Sequence, residues 1–322
     1  MITTTIKNRY YVPDPRGHVL QNFGRRMSSR SVPKFPRTVQ IQTQTGCNAA
    51  CVFCPYPDSY NEVPKGKMSD ELFAKIVHEI AGYRLTKRIS PYLMNEPFLD
   101  RAILEKSRYI KKHIPRSKLT VTTNAGPLKR EIVDDLVRDN PFRSIYISFQ
   151  GIEKEAYERT MQGNLIMEKT RENVEYLIEQ RHKFTPNLKI VVTMVKTSMI
   201  DAESAVKYWQ SRGVESQYTA LENRGGNVKE FDGLNGGQKR IFKDCTRLFK
   251  QAYILWNGDM VLCCTDYFKT IVLGNCKESS IYDVWNSPRA INIRRNFIRG
   301  DLEDNPLCAH CEIAANLPSG NV

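Results

Sequence analysis

Residues 38–54 read TVQIQTQTGCNAACVFC, and this stretch decides the fold. Residues 38–45 alternate apolar or β-branched side chains with polar ones at a period of two, which predicts a half-buried β-strand. Cys47, Cys51 and Cys54 follow directly, separated by three and then two residues. Barrels of alternating strands and helices carry their chemistry at the C-terminal ends of the strands. The three cysteines are therefore expected at such a strand end.

Short β-branched runs alternate with longer helical periods from residue 38 to about residue 220, which is typical of a parallel sheet. The expected strands are residues 38–45, 88–94, 119–123, 144–149, 188–195 and 214–220. The expected helices are residues 69–81, capped by Ser69, and residues 103–112, 131–137, 168–181 and 202–212. Six strands are fewer than the eight that close a barrel. The predicted fold class is α/β, with a partial (β/α)6 TIM-like barrel.

A small C-terminal α+β iron–sulfur domain is predicted after the barrel. Glycine-rich residues 224–237 indicate a linker, residues 253–262 indicate a hairpin with a Gly258-Asp259 turn, and residues 281–298 indicate one helix. Cys308 and Cys311 then stand in a terminal turn. The expected division is a basic N-terminal arm (1–37), the barrel (38–228) and the auxiliary domain (229–322).

The composition is that of a folded protein: of 322 residues, 41% are apolar and 26% are charged. This excludes disordered and fibrous classes. No run of eighteen apolar residues and no signal-peptide core is present, which predicts a cytoplasmic protein without a membrane partner. Residues 1–40 hold eight basic residues against one acid, within a net charge of +13. A solvated basic arm is the favoured interpretation, an anionic partner the alternative. No recognised nucleic-acid-binding module accompanies the charge, which argues against a nucleic-acid partner.

Nine cysteines, an odd and clustered number without an export signal, favour metal ligation over disulfides. The first thiol group is Cys47, Cys51 and Cys54. Three thiolates hold three corners of a 4Fe–4S cluster and leave one iron open. The alternative, a zinc knuckle, needs a fourth Cys or His close by in the sequence, and none follows.

The pattern Cys-x3-Cys-x-aromatic-Cys, with Phe53 as the aromatic residue, resembles the radical S-adenosylmethionine (radical SAM) superfamily. The resemblance implies that SAM binds the open iron and is cleaved reductively. The resulting 5′-deoxyadenosyl radical then abstracts hydrogen from a substrate. A low-potential electron donor such as flavodoxin or ferredoxin is implied as a partner.

Three further segments resemble motifs of the same superfamily at successive strand ends. They are residues 94–97 (MNEP), which resemble a Gly-Gly-Glu-Pro segment with both glycines replaced, residues 123–126 (TNAG), and residues 148–151 (SFQG), where Gln150 stands in place of the usual Asp. The SAM-binding residues implied by the resemblance are Phe53, Asn95, Glu96, Asn124 and Ser148.

The remaining cysteines resemble the SPASM or twitch extension of radical SAM enzymes. The second thiol group, implied to hold one auxiliary 4Fe–4S cluster, is Cys245, Cys263, Cys308 and Cys311. Such a cluster is a structural staple, an electron relay or an electron acceptor, and zinc at the four thiols is a rival interpretation. The pattern is most similar to that of members of the 2-deoxy-scyllo-inosamine dehydrogenase type.

Cys264 and Cys276 are left over. Strand alternation places Cys264 on the opposite side of the chain from Cys263, where it is either a hydrogen-atom donor or a packing residue. Cys276 is expected to be inert. Residues 223–226 (NRGG) resemble a segment of the aminocyclitol-oxidising members, which implies that Arg224 faces the substrate, although a surface arginine is the alternative. Asp266 is a secondary polar candidate.

The functional hypothesis is a radical SAM enzyme that takes hydrogen from a C–H bond of a polyhydroxylated or amino-sugar-like small molecule, and the expected substrate is anionic or sugar-like. Oxidation gives a ketone, whereas hydrogen return from Cys264 gives an epimer. The catalytic candidates are Cys264 and Arg224, and the cofactors are SAM and two 4Fe–4S clusters. The alternatives are a radical SAM maturase of ribosomally made peptides and a non-catalytic iron–sulfur electron carrier.

Overall fold

The computed structural model describes residues 31–237 and 245–315. Positions 1–30 of the predicted basic arm lie outside the described residues. Residues 31–37, at the end of the arm, contact Tyr83 and Trp285. The indole Nε1 of Trp285 donates a hydrogen bond to the carbonyl of Pro33 at 2.9 Å, and the buried ring of Phe35 stacks on Tyr83 with centroids 3.9 Å apart.

The described strands are β1 (Thr38–Ile41), β2 (Arg88–Ser90), β3 (Lys118–Thr123), β4 (Ser144–Ser148), β5 (Lys189–Lys196), β6 (Glu215–Ala220), β7 (Gln251–Ile254), β8 (Asp259–Val261) and β9 (Val272–Asn275). They form one sheet in the order β6-β5-β4-β3-β2-β1-β7-β8-β9. Strands β1 to β6 pair in parallel, as predicted, and β7 pairs in parallel with the other edge of β1. Strands β8 and β9 continue the sheet in antiparallel fashion. The partial α/β barrel predicted from the sequence is confirmed.

The described α-helices are α1 (Tyr56–Ser59), α2 (Asp70–Gly82), α3 (Ile103–His113), α4 (Arg130–Arg138), α5 (Lys154–Met161), α6 (Met167–Phe184), α7 (Ala202–Ser211), α8 (Phe231–Asn235), α9 (Arg247–Lys250), α10 (Ile281–Trp285), α11 (Pro288–Arg299), α12 (Pro306–Ala309) and α13 (Glu312–Ala315). Pro97–Leu99 forms a turn of 3-10 helix. The predicted cap of α2 is present, since Ser69 Oγ accepts a hydrogen bond from Leu72 N.

The C-terminal part differs from the sequence prediction in three places. The predicted linker over residues 224–237 contains a short helix, α8. The predicted single helix over residues 281–298 is two helices, α10 and α11. Pro288 has no N–H to donate to the preceding turn, and Ser287 caps a new helix by accepting from Ala290 N. The predicted two-stranded hairpin has a third strand, β9, whose short sequence VLGN carries no alternating pattern.

The two faces of the parallel sheet differ in polarity because neighbouring residues of a strand point to opposite faces. One face is apolar and buried beneath the helices; it consists of Val39, Ile41, Ile89, Leu119, Val121, Ile145, Ile147, Ile190, Val192 and Met194. The register places polar side chains on the concave face, namely Gln40, Ser90, Thr120, Thr122, Tyr146, Ser148, Thr193 and Gln217. The helices thus pack on the outer face, and the inner face is mostly polar, with Val191 and Val195 of β5 as apolar members.

No helix among the described residues has the length and apolar character needed to cross a bilayer.

Candidate active site

The first thiol group lies on the loop after β1 and is held against the C-terminal end of α5. Ala50 N donates to the carbonyl of Met161 at 3.1 Å, and Asn164 N, just beyond α5, donates to the carbonyl of Asn48 at 2.9 Å. The Sγ of Cys51 lies 3.7 Å from the Sδ of Met161. The loop is therefore fixed by main-chain hydrogen bonds on both sides of its cysteines, which remain partly exposed.

The thiols of this group influence one another. Burial, followed by the charges of Glu96 and Cys54, raises the pKa of Cys47 to about 12. Burial also raises the pKa of Cys51, and the charges of Cys54 and Cys47 add to the effect. The sulfurs are thus close enough for one thiolate to oppose the next. Bound iron compensates for that repulsion, so this donor set fits an iron–sulfur cluster.

The second thiol group packs around an apolar cluster of the C-terminal part that includes Phe249, Phe297 and Leu307. Burial, with the charges of Cys245 and Cys311, raises the pKa of Cys308 to about 12. The four cysteines, from three separate segments, therefore share one environment. This donor set also fits an iron–sulfur cluster.

Neither thiol group forms a single-ion site. A zinc site requires ligands within about 2.3 Å of one point. Across residues 31–237 and 245–315, no three His, Cys, Asp or Glu side chains converge closely enough to hold one metal ion.

Two family models match the chain. The radical SAM superfamily model matches residues 41–202, which contain the first thiol group and the parallel strands up to β5. The SPASM model, an iron–sulfur cluster-binding domain, matches residues 245–312, which contain the second thiol group. The chain belongs to the radical SAM superfamily. Its cofactors are SAM and a 4Fe–4S cluster in the barrel, with auxiliary iron–sulfur binding in the SPASM domain.

One curated relative and two solved structures show how this radical SAM enzyme relates to others. It is 21% identical over 281 residues to the S-adenosyl-L-methionine-dependent 2-deoxy-scyllo-inosamine dehydrogenase of Niallia circulans, covering 85% of this chain and 91% of that protein. The crystal structure of BtrN in complex with AdoMet and 2-DOIA aligns with a TM-score of 0.61 at 17% identity, covering 89% of this chain and 96% of that one. Streptococcus suis SuiB bound to precursor peptide SuiA aligns with a TM-score of 0.67 at 16% identity, covering 99% and 80%. The structural likenesses show a shared fold.

Glu96 is a buried carboxylate at the end of the second strand–loop unit of this radical SAM enzyme. Its Oε1 accepts from the hydroxyl of Thr123 at 2.7 Å and from Phe98 N at 3.1 Å, and its Oε2 accepts from Asn124 N at 2.8 Å. Burial raises its pKa to about 7 in spite of these donors. Glu96 thus joins the loop after β2 to the end of β3 by hydrogen bonds.

Two asparagines flank the first thiol group. The Nδ2 of Asn124 lies 3.9 Å from Cys47 Sγ and donates to Asn48 Oδ1 at 2.8 Å. The Oδ1 of Asn95 accepts from Leu93 N at 2.9 Å, whereas its Nδ2 is buried without a partner among the described residues. A buried donor without an acceptor is costly, so Asn95 fits a bound molecule that supplies one.

Ser148 and Phe53 occupy different surroundings. The half-buried Oγ of Ser148 accepts from Gln150 Nε2 at 3.1 Å, and Gln150 Oε1 accepts from Val195 N at 2.9 Å. Gln150, which replaces the usual acid, therefore ties β4 to β5. Phe53 is buried in the main apolar core, so its ring anchors the cysteine loop.

Arg224 stands in a turn that is pressed against the second thiol group. Its φ is 53°, and Gly225 and Gly226 follow with φ of 72° and 86°. A Cβ on Gly225 would come within 2.6 Å of a Leu307 methyl carbon and 3.1 Å of the Leu307 carbonyl oxygen. The Nη1 of Arg224 lies 3.7 Å from Glu222 Oε2. Close packing against α12 thus fixes this turn and aims Arg224 toward Glu222.

The surplus cysteines lie in separate places. Cys264 packs in an apolar cluster with Cys54 and Tyr267, and Cys263 packs against a different one. The two thiols nevertheless contact each other, so they are not separated on opposite sides of the chain as strand alternation predicted. Contact with the Cys263 thiol, together with the charges of Arg247 and Arg224, lowers the pKa of Cys264. Cys276 is buried in the main core. Cys264 is thus the surplus thiol that lies between the two thiol groups.

Asp266, the secondary polar candidate, is used within its own loop. Its Oδ1 accepts from Thr270 N at 2.8 Å and Thr270 Oγ1 at 2.9 Å, and its Oδ2 accepts from Ile271 N at 2.9 Å. The side chain is fully buried. Asp266 therefore shapes the loop that follows Cys263 and Cys264.

Sequence reasoning missed Tyr267, Arg247 and Glu222. The hydroxyl of Tyr267 lies 3.6 Å from Cys54 Sγ, although the two residues are 213 positions apart. Arg247 binds Glu222 across 25 positions and lies near Cys263 and Cys264. For Tyr267 and Arg247, the signal in the sequence is closeness along the chain to predicted cluster ligands. Tyr267 follows Cys263 by four positions, and Arg247 follows Cys245 by two.

Proposed function

We propose that this radical SAM enzyme oxidises a hydroxyl-bearing carbon of a polyhydroxylated or amino-sugar-like small molecule to a ketone. The observation that carries the proposal is the polar concave face of the sheet, which offers hydroxyl and amide groups to a substrate. Ser90 Oγ and Thr120 Oγ1 lie 2.9 Å apart, and Tyr92 OH donates to Thr122 Oγ1 at 2.6 Å. A substrate rich in hydroxyl and amine groups matches such a face. The dehydrogenase of Niallia circulans supports the same assignment.

The proposed roles divide between the barrel (38–228) and the auxiliary domain (229–322). The first thiol group would hold the SAM-binding cluster, and Asn95, Glu96, Asn124, Ser148 and the loop at Phe53 would hold SAM. The second thiol group would hold one auxiliary cluster. When bound, SAM and its cluster supply an oxidant able to take hydrogen from an unactivated C–H bond.

The chain's own residues position the carbon and manage the proton. Oxidation of a secondary alcohol removes one hydrogen atom from carbon, one proton from oxygen and one electron. Arg224 remains protonated because the charge of Glu222 raises its pKa further, against the cost of burial, so it cannot act as a base. It donates to the hydroxyl oxygen and lowers the cost of losing the proton. Glu222, paired with Arg224, is the carboxylate that we assign to receive it.

The remaining electron needs an acceptor near the substrate. Cys263 of the second thiol group is adjacent in sequence to Cys264, which lies with Cys54 in one apolar cluster. The second thiol group is thus the place in the chain where an acceptor would be held. A low-potential carrier such as flavodoxin or ferredoxin is the proposed redox partner, and a small molecule is the proposed substrate.

Epimerisation is a second candidate because of the location of Cys264. A thiol between the two thiol groups could return a hydrogen atom to a substrate carbon radical, which leaves an epimer and a thiyl radical on Cys264. The thiyl radical would regain one electron from the proposed low-potential carrier and one proton from water, so the substrate undergoes no net oxidation. Cys264→Ala separates the two outcomes. If ketone formation persists in this variant, oxidation is supported. If turnover in deuterated water places deuterium on the product carbon and the variant loses it, epimerisation is the reaction.

The test of the proposed function is anaerobic iron reconstitution followed by product analysis with aminocyclitols, amino sugars and peptides. We expect about eight irons per chain, formation of 5′-deoxyadenosine, and a ketone from a hydroxyl-rich substrate. Turnover of a peptide alone would favour a maturase, which the fold shared with SuiB allows. Absence of 5′-deoxyadenosine with every substrate would favour a non-catalytic carrier.

A further inference from the structure

Tyr267 of the C-terminal part reaches the cysteine loop of the barrel. Its hydroxyl lies 3.6 Å from the Sγ of Cys54, within the distance of a hydrogen bond to sulfur. The ring is 9% exposed and packs in an apolar cluster with Leu255, Leu93 and the partly buried Cys54. The hydroxyl and the sulfur thus meet in a largely dry environment.

The loop that carries Tyr267 is rigid. Asp266 N donates to the carbonyl of Cys263 at 3.2 Å, and Tyr267 N donates to the carbonyl of Thr265 at 3.0 Å. The carboxylate of Asp266 accepts three hydrogen bonds from Thr270 and Ile271. The position of the phenol is therefore set by the loop that starts at a cysteine of the second thiol group.

We propose that Tyr267 donates a hydrogen bond to the Cys54 thiolate and thereby raises the reduction potential of the SAM-binding cluster. A thiolate that ligates iron has no proton, so the phenol O–H is the donor. A donor at a ligand sulfur stabilises the more negative, reduced cluster. Low solvent exposure strengthens this effect because water does not compete for the sulfur. Tyr267 is a positioning and tuning residue and touches neither SAM nor substrate in this assignment.

The experiment is a redox titration of the reconstituted holoenzyme, followed by electron paramagnetic resonance. The signal of the SAM-binding cluster is the one that changes when SAM is added, and no substrate is needed. In Tyr267→Phe, we expect the ratio of reduced to oxidised cluster, at a fixed potential near the parent midpoint, to fall about tenfold. For a one-electron couple, that corresponds to about 59 mV toward lower potential.

The matched control is Tyr253→Phe. Tyr253 is a buried tyrosine of the same apolar cluster, and its hydroxyl donates to Gln251 Oε1 at 3.1 Å. Tyr253→Phe removes one phenol oxygen, as Tyr267→Phe does, but it removes no hydrogen bond to Cys54. The midpoint potential of the SAM-binding cluster should therefore stay at the parent value. Equal midpoints in parent and Tyr267→Phe would overturn the proposal, and so would equal shifts in the two variants.

A second measurement covers the case in which Tyr267→Phe does not fold or bind iron. After exchange into deuterated water, pulsed electron paramagnetic resonance of the reduced SAM-binding cluster should show a coupled exchangeable deuteron that remains in Asn124→Leu, because the Asn124 amide near Cys47 is another exchangeable donor. Presence of the coupling without SAM or substrate supports the proposal. Its absence overturns the proposal, whatever the outcome of the substrate screen.

Discussion

The Nη2 atom of Arg247 donates to both carboxylate oxygens of Glu222, at 2.7 and 2.8 Å. Arg247 begins α9, just after Cys245, and Glu222 follows β6 at the rim of the barrel. Both side chains are 23% exposed. This charged contact therefore joins the barrel to the segment that supplies the first cysteine of the second thiol group.

Glu222→Gln should lower the free energy of unfolding by about 2 kcal/mol, since it leaves two partly buried arginines without their anion. Thermal melting of the loaded protein measures the loss, and a turnover assay reports the proton-accepting role. Glu215→Gln is the control, because the Glu215–Lys189 pair is more exposed and should contribute less than about 1 kcal/mol. Similar melting temperatures for the parent and Glu222→Gln would show that the pair does not stabilise the junction.

Gly225→Ala should displace the turn that carries Cys308. The φ of Gly225 is 72°, which disfavours any residue with a side chain. The added Cβ would lie 3.1 Å from the carbonyl oxygen of Leu307. We expect a clear loss of stability and a fall from about eight irons per chain toward about four.

Gly213→Ala is the matched control for that substitution. Gly213 has a φ of 73°, yet a Cβ there meets no atom within 4 Å. Gly213→Ala should lower the free energy of unfolding by about 1 kcal/mol, from backbone strain alone. The variant should keep its full iron content. Equal iron contents in the two variants would rule out a role of the Gly225–Leu307 contact in holding the second thiol group.

Lys269→Met should stabilise the protein most at neutral pH. Burial lowers the pKa of Lys269 from 10.5 to about 8. Below pH 8 the amine is charged in both folded and unfolded chains, so the full cost of burying the charge is present. Between pH 8 and 10.5 the folded protein loses its proton first, so parent stability rises with pH.

The gain in Lys269→Met should therefore reach up to about 3 kcal/mol at pH 7 and shrink toward pH 10. Melting temperatures of parent and variant at the two pH values measure it, and Lys112→Met at an exposed position serves as control. A gain that does not depend on pH would show that desolvation of the amine is not its cause.

Cys276 should resist alkylation in the folded protein. It is 1% exposed, and burial raises its pKa to about 12, so it stays a protonated thiol at pH 8. Mass spectrometry after iodoacetamide treatment should find it unmodified in the native state and modified after denaturation. Labelling at equal rates in both states would contradict its placement in the main core.

Most strands and helices of the barrel were predictable because their patterns are local. Period-two alternation marked β1, and Ser69 marked the start of α2. Helix α5, which holds the cysteine loop, was not predicted. The C-terminal part was less predictable, since β9 is short and receives its partners from β8. Its strand state depends on a tertiary contact that leaves no periodic signal.

The sequence by itself predicted the type of metal site, because thiolate number and spacing limit what a loop can ligate, and three cysteines after β1 would leave one iron of a 4Fe–4S cluster open. SAM as the molecule at that iron is implied by the resemblance to the radical SAM superfamily. The tertiary structure alone decided which distant groups act on those thiols. Joining β7 to β1 brings Tyr267 to Cys54 and Arg247 to Glu222. Such contacts follow from the order of strands in the sheet, and strand order is set by long-range packing.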